Sequence, residues 1–324
     1  MLQAGTRGVH LDDVVAAQSR LSQYLTPTPL QPSTAAREAV GTDVLLKLEM
    51  FQPIRVFKIR GALNRILRLR AQGLTGGVIT ASAGNHGLAV AYAADRFGLQ
   101  ATICVPESGN QAKVRAITRL GARVVPKGQD FQGAVENAQR IAAAEGLTFV
   151  HAYDDPDVIA GQGTLGLELT DQGGFDAVLL PIGGGGLLGG ASLALKERMP
   201  DVKVYGVAMS GADSMVRSLA AGKVVELPAV HTIADGLSPR GPSDLTLALA
   251  QRYVDDVVVI DDQDLYAALR LLLYEEHLVV EPSGAATLAA LMRLGAHRFG
   301  ERPVAVLSGG FCADEVLQQV VHLA

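Results

Sequence analysis

The chain has 324 residues, 48% of them hydrophobic and 19% charged. That is enough apolar material for a substantial core, and the length suits two domains or one large α/β domain with an inserted lobe. Its 33 acidic and 28 basic residues give a formal charge of −5 and form no blocks, which argues against a nucleic-acid footprint or a polybasic membrane patch and leaves a small molecule as the expected partner.

Short Val- and Ile-rich runs bounded by Gly, Pro or Asp recur along the chain, at residues 44–48, 77–80, 101–105, 123–125, 149–151, 177–181, 202–207, 257–260 and 304–307. Between them lie longer alanine-rich stretches with helical periodicity, such as 85–97 and 111–120. This alternation predicts βαβ units, hence a mainly parallel sheet with helices on both faces. Residues 77–150 alone hold four strand candidates and three helices, enough for a small sheet of their own. There is no tandem repeat, low-complexity tract or long linker.

Two cysteines, Cys104 and Cys312, point to reduced structural thiols rather than a disulfide framework. The N-terminal region carries Arg7, His10, Asp12 and Asp13 and no long apolar stretch, so no signal peptide or spanning helix is expected, and the predicted location is the cytoplasm.

Four segments carry chemistry, taken here in chain order. Val56-Phe57-Lys58-Ile59-Arg60-Gly61 sets one lysine at the mouth of a predicted helix, and lysine is the side chain that can form an imine with an aldehyde cofactor. Ser82-Ala83-Gly84-Asn85-His86-Gly87 joins a strand end to a helix start and presents backbone amides there. Gly183-Gly184-Gly185-Gly186-Leu187 follows the strand at 177–181 and opens another helix. Glycines let the backbone approach an anion, and a helix N-terminus supplies amide donors, so this run reads as a phosphate cradle. Gly184-x-Gly186-x-x-Gly189 also fits a dinucleotide fingerprint, but the acidic residue due about 20 positions later is absent, since Val204-Tyr205-Gly206-Val207 runs into Ala208 and Met209. A phosphate monoester is therefore favoured. The fourth segment is Ser308-Gly309-Gly310.

In this order and spacing the four segments resemble the fold-type II pyridoxal phosphate (PLP) enzymes, and within them the threonine/serine dehydratase and serine racemase group. Leu46-Lys47-Leu48-Glu49, Val158-Ile159-Ala160-Gly161-Gln162-Gly163-Thr164, Thr232-Ile233-Ala234-Asp235-Gly236 and Glu281-Pro282-Ser283-Gly284 extend the likeness over nearly the whole chain. The Ala-Ser-Ala-Gly-Asn-His form of the second segment is most similar to biosynthetic threonine dehydratases. The resemblance implies an α/β fold of two open, twisted, mainly parallel sheets flanked by helices, like the tryptophan synthase β chain. It also implies a large PLP-binding domain made of residues 1–70 and 150–324, with a small domain, 71–149, inserted.

The resemblance gives each segment a role. Lys58 would be the imine and proton-transfer residue, and the cofactor would be held by Phe57, Lys58, Asn85, Gly183, Gly184, Gly185, Gly186, Leu187 and Ser308. Asn85 would bond the ring hydroxyl and Ser308 the pyridine nitrogen. A neutral serine leaves the ring a weaker electron sink than an aspartate would, which suits β-elimination better than transamination. Ser82, Ala83, Gly84, Asn85 and His86 would receive the substrate carboxylate, His86 serving mainly to build the helix start. Serine racemases carry serine where this chain has Ala83, so little racemisation is expected. Relatives of the racemase type bind a divalent cation through two carboxylates, but the matching positions are Ala208 and Ser214, and no metal is expected. Glu281 and Asp235 lie in loops that in the family approach the cofactor; they read as loop-ordering charges at least as well as catalytic ones and are left out of the catalytic set.

One departure stands beside the lysine. Where the family has glycine or a small hydroxyl residue, this chain has Val56, preceded by Arg55, which could act as an extra cation toward phosphate or substrate. The expected activity is dehydration and deamination of a β-hydroxy amino acid, L-threonine first and L-serine second. The alternatives are another such substrate (3-hydroxyaspartate, phenylserine), a β-replacement enzyme, or a non-catalytic PLP or small-molecule binding protein. The family is commonly dimeric or tetrameric, so a homodimer or homotetramer is expected. The chain stops soon after Ser308-Gly309-Gly310, where longer biosynthetic dehydratases continue into a regulatory domain, so feedback control of that kind is not expected.

Overall fold

The computed structural model describes residues 8–322 apart from 75, 83, 108–110 and 129–130. Ten strands occur among them: β1 (Leu30–Ser33), β2 (Val44–Leu48), β3 (Val78–Ala81), β4 (Ala101–Val105), β5 (Arg123–Pro126), β6 (Thr148–Phe149), β7 (Ala177–Pro181), β8 (Lys203–Met209), β9 (Asp256–Ile260) and β10 (Pro303–Leu307). They form a six-stranded sheet in the order β1-β2-β10-β7-β8-β9 and a four-stranded sheet in the order β5-β4-β3-β6. Every pairing is parallel except β1 with β2.

The apolar runs are continuous because both faces of the large sheet are covered. Alternate residues feed two separate cores. Leu46, Leu48, Leu179, Ala305 and Leu307 pack with the helices Asp262–Tyr274 and Pro282–Leu294. Leu45, Val178, Leu180, Val304 and Val306 pack on the other face with Pro156–Gln172 and Gly186–Arg198. The small sheet is covered in the same way: Val78, Ile103 and Val105 on one face meet the helices Ile59–Ala71 and Asn85–Arg96, and Ile79, Ala81 and Cys104 on the other meet Phe131–Glu145.

β1 is the strand that the periodicity did not predict. Its sequence, Leu-Gln-Pro-Ser, has no β-branched residue, and its proline is tolerated because β1 lies at the sheet edge.

Glycines set the helix spacing. A Cβ on Gly161 would lie 2.6 Å from the Arg60 carbonyl oxygen, and one on Gly163 would lie 2.9 Å from that of Gly190. Pro156–Gln172 therefore touches both the helix that follows Lys58 and the helix that follows the glycine run. Its start is fixed by Asp155, whose side chain accepts hydrogen bonds from the amides of Asp157 (2.8 Å) and Val158 (3.1 Å), with Pro156 at the first helical position.

Candidate active site

Lys58 occupies the N-cap position of the helix Ile59–Ala71. Its neighbourhood is made by two distant segments. Val56 forms an antiparallel bridge with Gly309, the Phe57 amide donates to the Ser308 carbonyl (3.0 Å), and the Gly310 amide donates to the Arg55 carbonyl (2.8 Å). This pairing sets Lys58 beside Ser308. Val56 is fully buried, and Gly309 has no Cβ to collide with it or with Glu281. Arg55 does not fill the role the sequence offered it. Its backbone is left-handed (φ 63°), its side chain is exposed, and it does not line the cavity.

That cavity, of about 580 Å³, opens where the loops after β3, β7 and β10 converge. Carboxyl ends of parallel strands are where α/β sheets bind ligands. Phe57, Lys58, Ser82, Gly84, Asn85, His86, Gly183, Gly184, Gly185, Gly186, Leu187 and Ser308 all line it. Ala83 lies outside the described residues.

The Lys58 ammonium donates to the Ala152 carbonyl (3.1 Å) and lies 5.2 Å from the Phe57 ring centroid. Burial pulls its pKa down to about 8. Ser82 accepts from the Gly84 amide through Oγ (3.1 Å), tightening the turn into the helix Asn85–Arg96. Asn85 donates from Nδ2 to Oε1 of Glu281 (2.6 Å), while its Oδ1 is buried and has no hydrogen-bond partner in the protein. His86 Nε2 lies 3.1 Å from the Val150 carbonyl oxygen. Burial, reinforced by the charge of Lys58, holds the His86 pKa near 3, so the ring is neutral and Nε2 carries the proton that meets the carbonyl.

The glycine run leaves β7 and enters the helix Gly186–Arg198. Gly185 has φ 89°, and a Cβ there would press on Met215 and Thr246. At Gly184 a Cβ would collide with the Tyr153 ring. The backbone is thus open toward the cavity where side chains are excluded, and the first helix amides have no intrahelical acceptor. Ser308, which also lines the cavity, donates a long hydrogen bond (3.4 Å) to the Ser283 carbonyl.

Sequence reasoning did not single out Tyr153 or Lys113, and it left Asp235 and Glu281 out of the catalytic set. Tyr153 lies over Gly184 and donates its hydroxyl to the Gly241 carbonyl (3.2 Å); burial pushes its pKa up to about 12. The Lys113 ammonium lies 2.8 Å from Asp235 and 3.6 Å from Glu281, and all three line the cavity. Burial works against the charge on Lys113, but the two carboxylates more than offset it and raise its pKa. Burial, with Asp235 adding to it, raises Glu281 to about 7. Glu281 does more than order a loop, since it is fully buried and holds Asn85. Lys113 sits in a helix among Arg115 and Arg119 and had no local signal; the Glu-Pro pair at 281–282 marked only a helix start.

These residues fit PLP on four observations. The cavity holds a half-buried amine of lowered pKa for an aldehyde, a backbone cradle with helix amides for a phosphate, an unpartnered amide oxygen at Asn85, and a hydroxyl at Ser308. Among the described residues, no group of three or more His, Cys, Asp or Glu could hold a metal ion, and no helix is long and apolar enough to cross a membrane.

Known proteins agree with that fit. The chain is 38% identical to the L-threonine ammonia-lyase of Thermotoga maritima over 315 residues, covering 97% of this chain and 78% of that protein. The fold matches maize serine racemase with a TM-score of 0.91 at 34% identity, covering 98% of each chain. It matches the processed form of threonine deaminase isoform 2 from Solanum lycopersicum with a TM-score of 0.91 at 33% identity, covering 98% of this chain and 90% of the other. The model of the family described as "Pyridoxal-phosphate dependent enzyme" matches residues 21–309, and the chain, with a lysine and a glycine cradle facing one cavity, belongs to that family.

Proposed function

We propose that this enzyme is an ammonia-lyase that dehydrates and deaminates a β-hydroxy amino acid, L-threonine to 2-oxobutanoate and ammonia, with L-serine to pyruvate as a second reaction. The observation that carries the reading is the convergence of Lys58, the glycine cradle and the loop at 82–86 on one cavity, in a chain 38% identical to an L-threonine ammonia-lyase.

PLP, when bound, supplies an electron sink for charge that develops at the substrate α-carbon. Phe57 and Lys58 would hold the cofactor, and the glycines at 183–186 with Leu187 would receive its phosphate through backbone amides at a helix start. Asn85 presents Oδ1 or its second N–H to the ring hydroxyl, its amide held by Glu281. Ser308 would meet the ring nitrogen as a neutral hydroxyl, which suits elimination, because the α-carbon's charge is discharged as the β-oxygen leaves. The substrate carboxylate is received by Ser82 and the amides of Gly84, Asn85 and His86.

Lys58 Nζ takes the α-proton. Its pKa of about 8 in the free protein gives it an uncharged fraction near neutral pH, as a base requires. The Cα–H and Cβ–O bonds break, the Cα=Cβ bond forms, the β-oxygen takes up a proton and leaves as water, and the released enamine reacts with water to give the 2-oxo acid and ammonia. His86 stays neutral and structural. Alanine at 83 has no proton to give on the second face of the α-carbon, so racemisation is minor.

The two sheets form two lobes, residues 71–149 and the remainder, with the cavity between them. The unpaired Cys104 and Cys312 fit a reducing cytoplasm. The exposed Phe51, Tyr274, Val279 and Val321 fit a homodimer or homotetramer. The assay is 2-oxo acid release from L-threonine by PLP-loaded protein, with Lys58→Ala as control. Turnover that the variant abolishes is the expected result. No 2-oxo acid from either L-threonine or L-serine would refute the assignment.

A further inference from the structure

The glycines of the cradle are backed by two pieces of chain from different parts of the sequence. A Cβ on Gly183 would lie 2.9 Å from the Gly236 carbonyl oxygen and 3.4 Å from Pro239, so the loop at 236–239 rests directly on it. At Gly184 a Cβ would run into the Tyr153 ring, and one on Gly186 would lie 3.1 Å from the Tyr153 Cβ. The two backing pieces are tied to each other, because the Tyr153 hydroxyl donates to the carbonyl of the buried Gly241 (3.2 Å), two residues beyond Pro239. Burial pushes the phenol pKa up to about 12, so the group stays a donor throughout the neutral range. The ring is braced from behind as well: it meets His151 edge-on with centroids 4.7 Å apart, and His151 Nδ1 accepts from the amides of Tyr153 (3.3 Å) and Asp154 (2.7 Å). The reaction proposed above gives this phenol no proton to move.

We infer that Tyr153 is a positioning residue for the phosphate end of the site: its ring backs the glycine cradle, and its hydroxyl ties the loop at 236–241 to that cradle so that the two hold a phosphate as one unit. This rests on the glycine run being the phosphate end of the cavity, and it is independent of which amino acid reacts. Removing the hydroxyl takes the Tyr153 donor from a buried carbonyl and loosens the loop that braces Gly183, while the ring still covers Gly184. The lysine end of the cavity keeps its own contact, from Lys58 to the Ala152 carbonyl (3.1 Å).

The test titrates two aldehydes, PLP and the phosphate-free pyridoxal, into full-length protein stripped of cofactor, and follows imine formation by visible absorbance. The wild type is expected to bind PLP the more tightly. Tyr153→Phe should lower PLP affinity about tenfold and leave pyridoxal within about twofold. A general packing defect or a displaced Lys58 would instead weaken both aldehydes together. A PLP-to-pyridoxal ratio unmoved in Tyr153→Phe, beside a wild type that prefers PLP, would overturn the role of Tyr153 and leave the cradle standing. Equal binding of the two aldehydes by the wild type would refute the cradle itself, and the role of Tyr153 with it. A second measurement needs no variant: hydrogen exchange of the wild-type apoprotein with and without inorganic phosphate. Protection should rise at 183–187 and at 236–241 together, and protection confined to 183–187 would contradict the tie.

Discussion

At the scale of single residues the site is governed by what burial does to charge. Lys58 is half-buried, with a hydrogen bond to the Ala152 carbonyl and, among the described residues, no carboxylate to hold its proton, so its pKa falls to about 8. The sign for stability follows from linkage. Between pH 8 and the ordinary lysine value of 10.5, the unfolded chain holds a proton that the folded apoprotein has lost, so this group's contribution rises with pH across that window. The neutral amine is also the nucleophile toward an aldehyde. PLP uptake by apoprotein should therefore accelerate as pH rises through about 8 and then level off, as followed by stopped-flow absorbance. An uptake rate that still climbs through pH values near 10 would mean that the amine is solvated and ordinary. Lys58 was legible in the sequence because Phe57-Lys58 matches the Phe-Lys pair of the family the chain resembles; a lone lysine at a helix start would have read as a surface amine. Arg55 shows the limit of local reading: its proximity in sequence gave it a role that a left-handed backbone and an exposed side chain remove.

At the scale of elements the positions of Lys58 and the glycine cradle are linked through one helix. Pro156–Gln172 packs against Ile59–Ala71 at Gly161 and against Gly186–Arg198 at Gly163 and Gly190. Beside these contacts lies a buried ionic cluster. Arg60 donates to both Glu49 oxygens (2.8 Å each) and to Glu168 (2.6 and 2.8 Å), and Lys47 donates to Glu168 (2.9 Å). Burial opposes the charge on Arg60, yet the two carboxylates keep it firmly protonated. Gly161→Ala tests this spacing because two effects carry opposite signs. Helix propensity alone would stabilise by about 1 kcal/mol. The added Cβ, 2.6 Å from the Arg60 carbonyl oxygen, should instead cost about 1–3 kcal/mol and weaken PLP binding by displacing Lys58. Denaturant unfolding and PLP titration check both, and a stabilised variant with unchanged PLP affinity would contradict the packing account. The central strands were legible because both sheet faces are buried and the runs are continuously apolar. The edge strand β1 was not, since Pro32 and Gln31 carry no strand signal.

At the scale of the whole molecule the cavity is assembled from segments scattered over the chain, and this explains what the sequence concealed. The glycine run and the turn at 82–85 each carry their chemistry in a few consecutive residues, so they could be read locally. Tyr153, Lys113, Asp235 and Glu281 meet only because strands of two sheets end facing one another, and nothing near any one of them in sequence announces the others. The same assembly brings Lys58 and the glycines at 183–186 to one cavity, where a single aldehyde-phosphate ligand could meet both. The most direct measurement is borohydride reduction of PLP-loaded protein followed by peptide mass spectrometry. The account predicts a pyridoxyl group on Lys58 and on no other lysine, and none on any lysine in Lys58→Ala. Attachment at Lys113 or a surface lysine, with Lys58 unmodified, would contradict it.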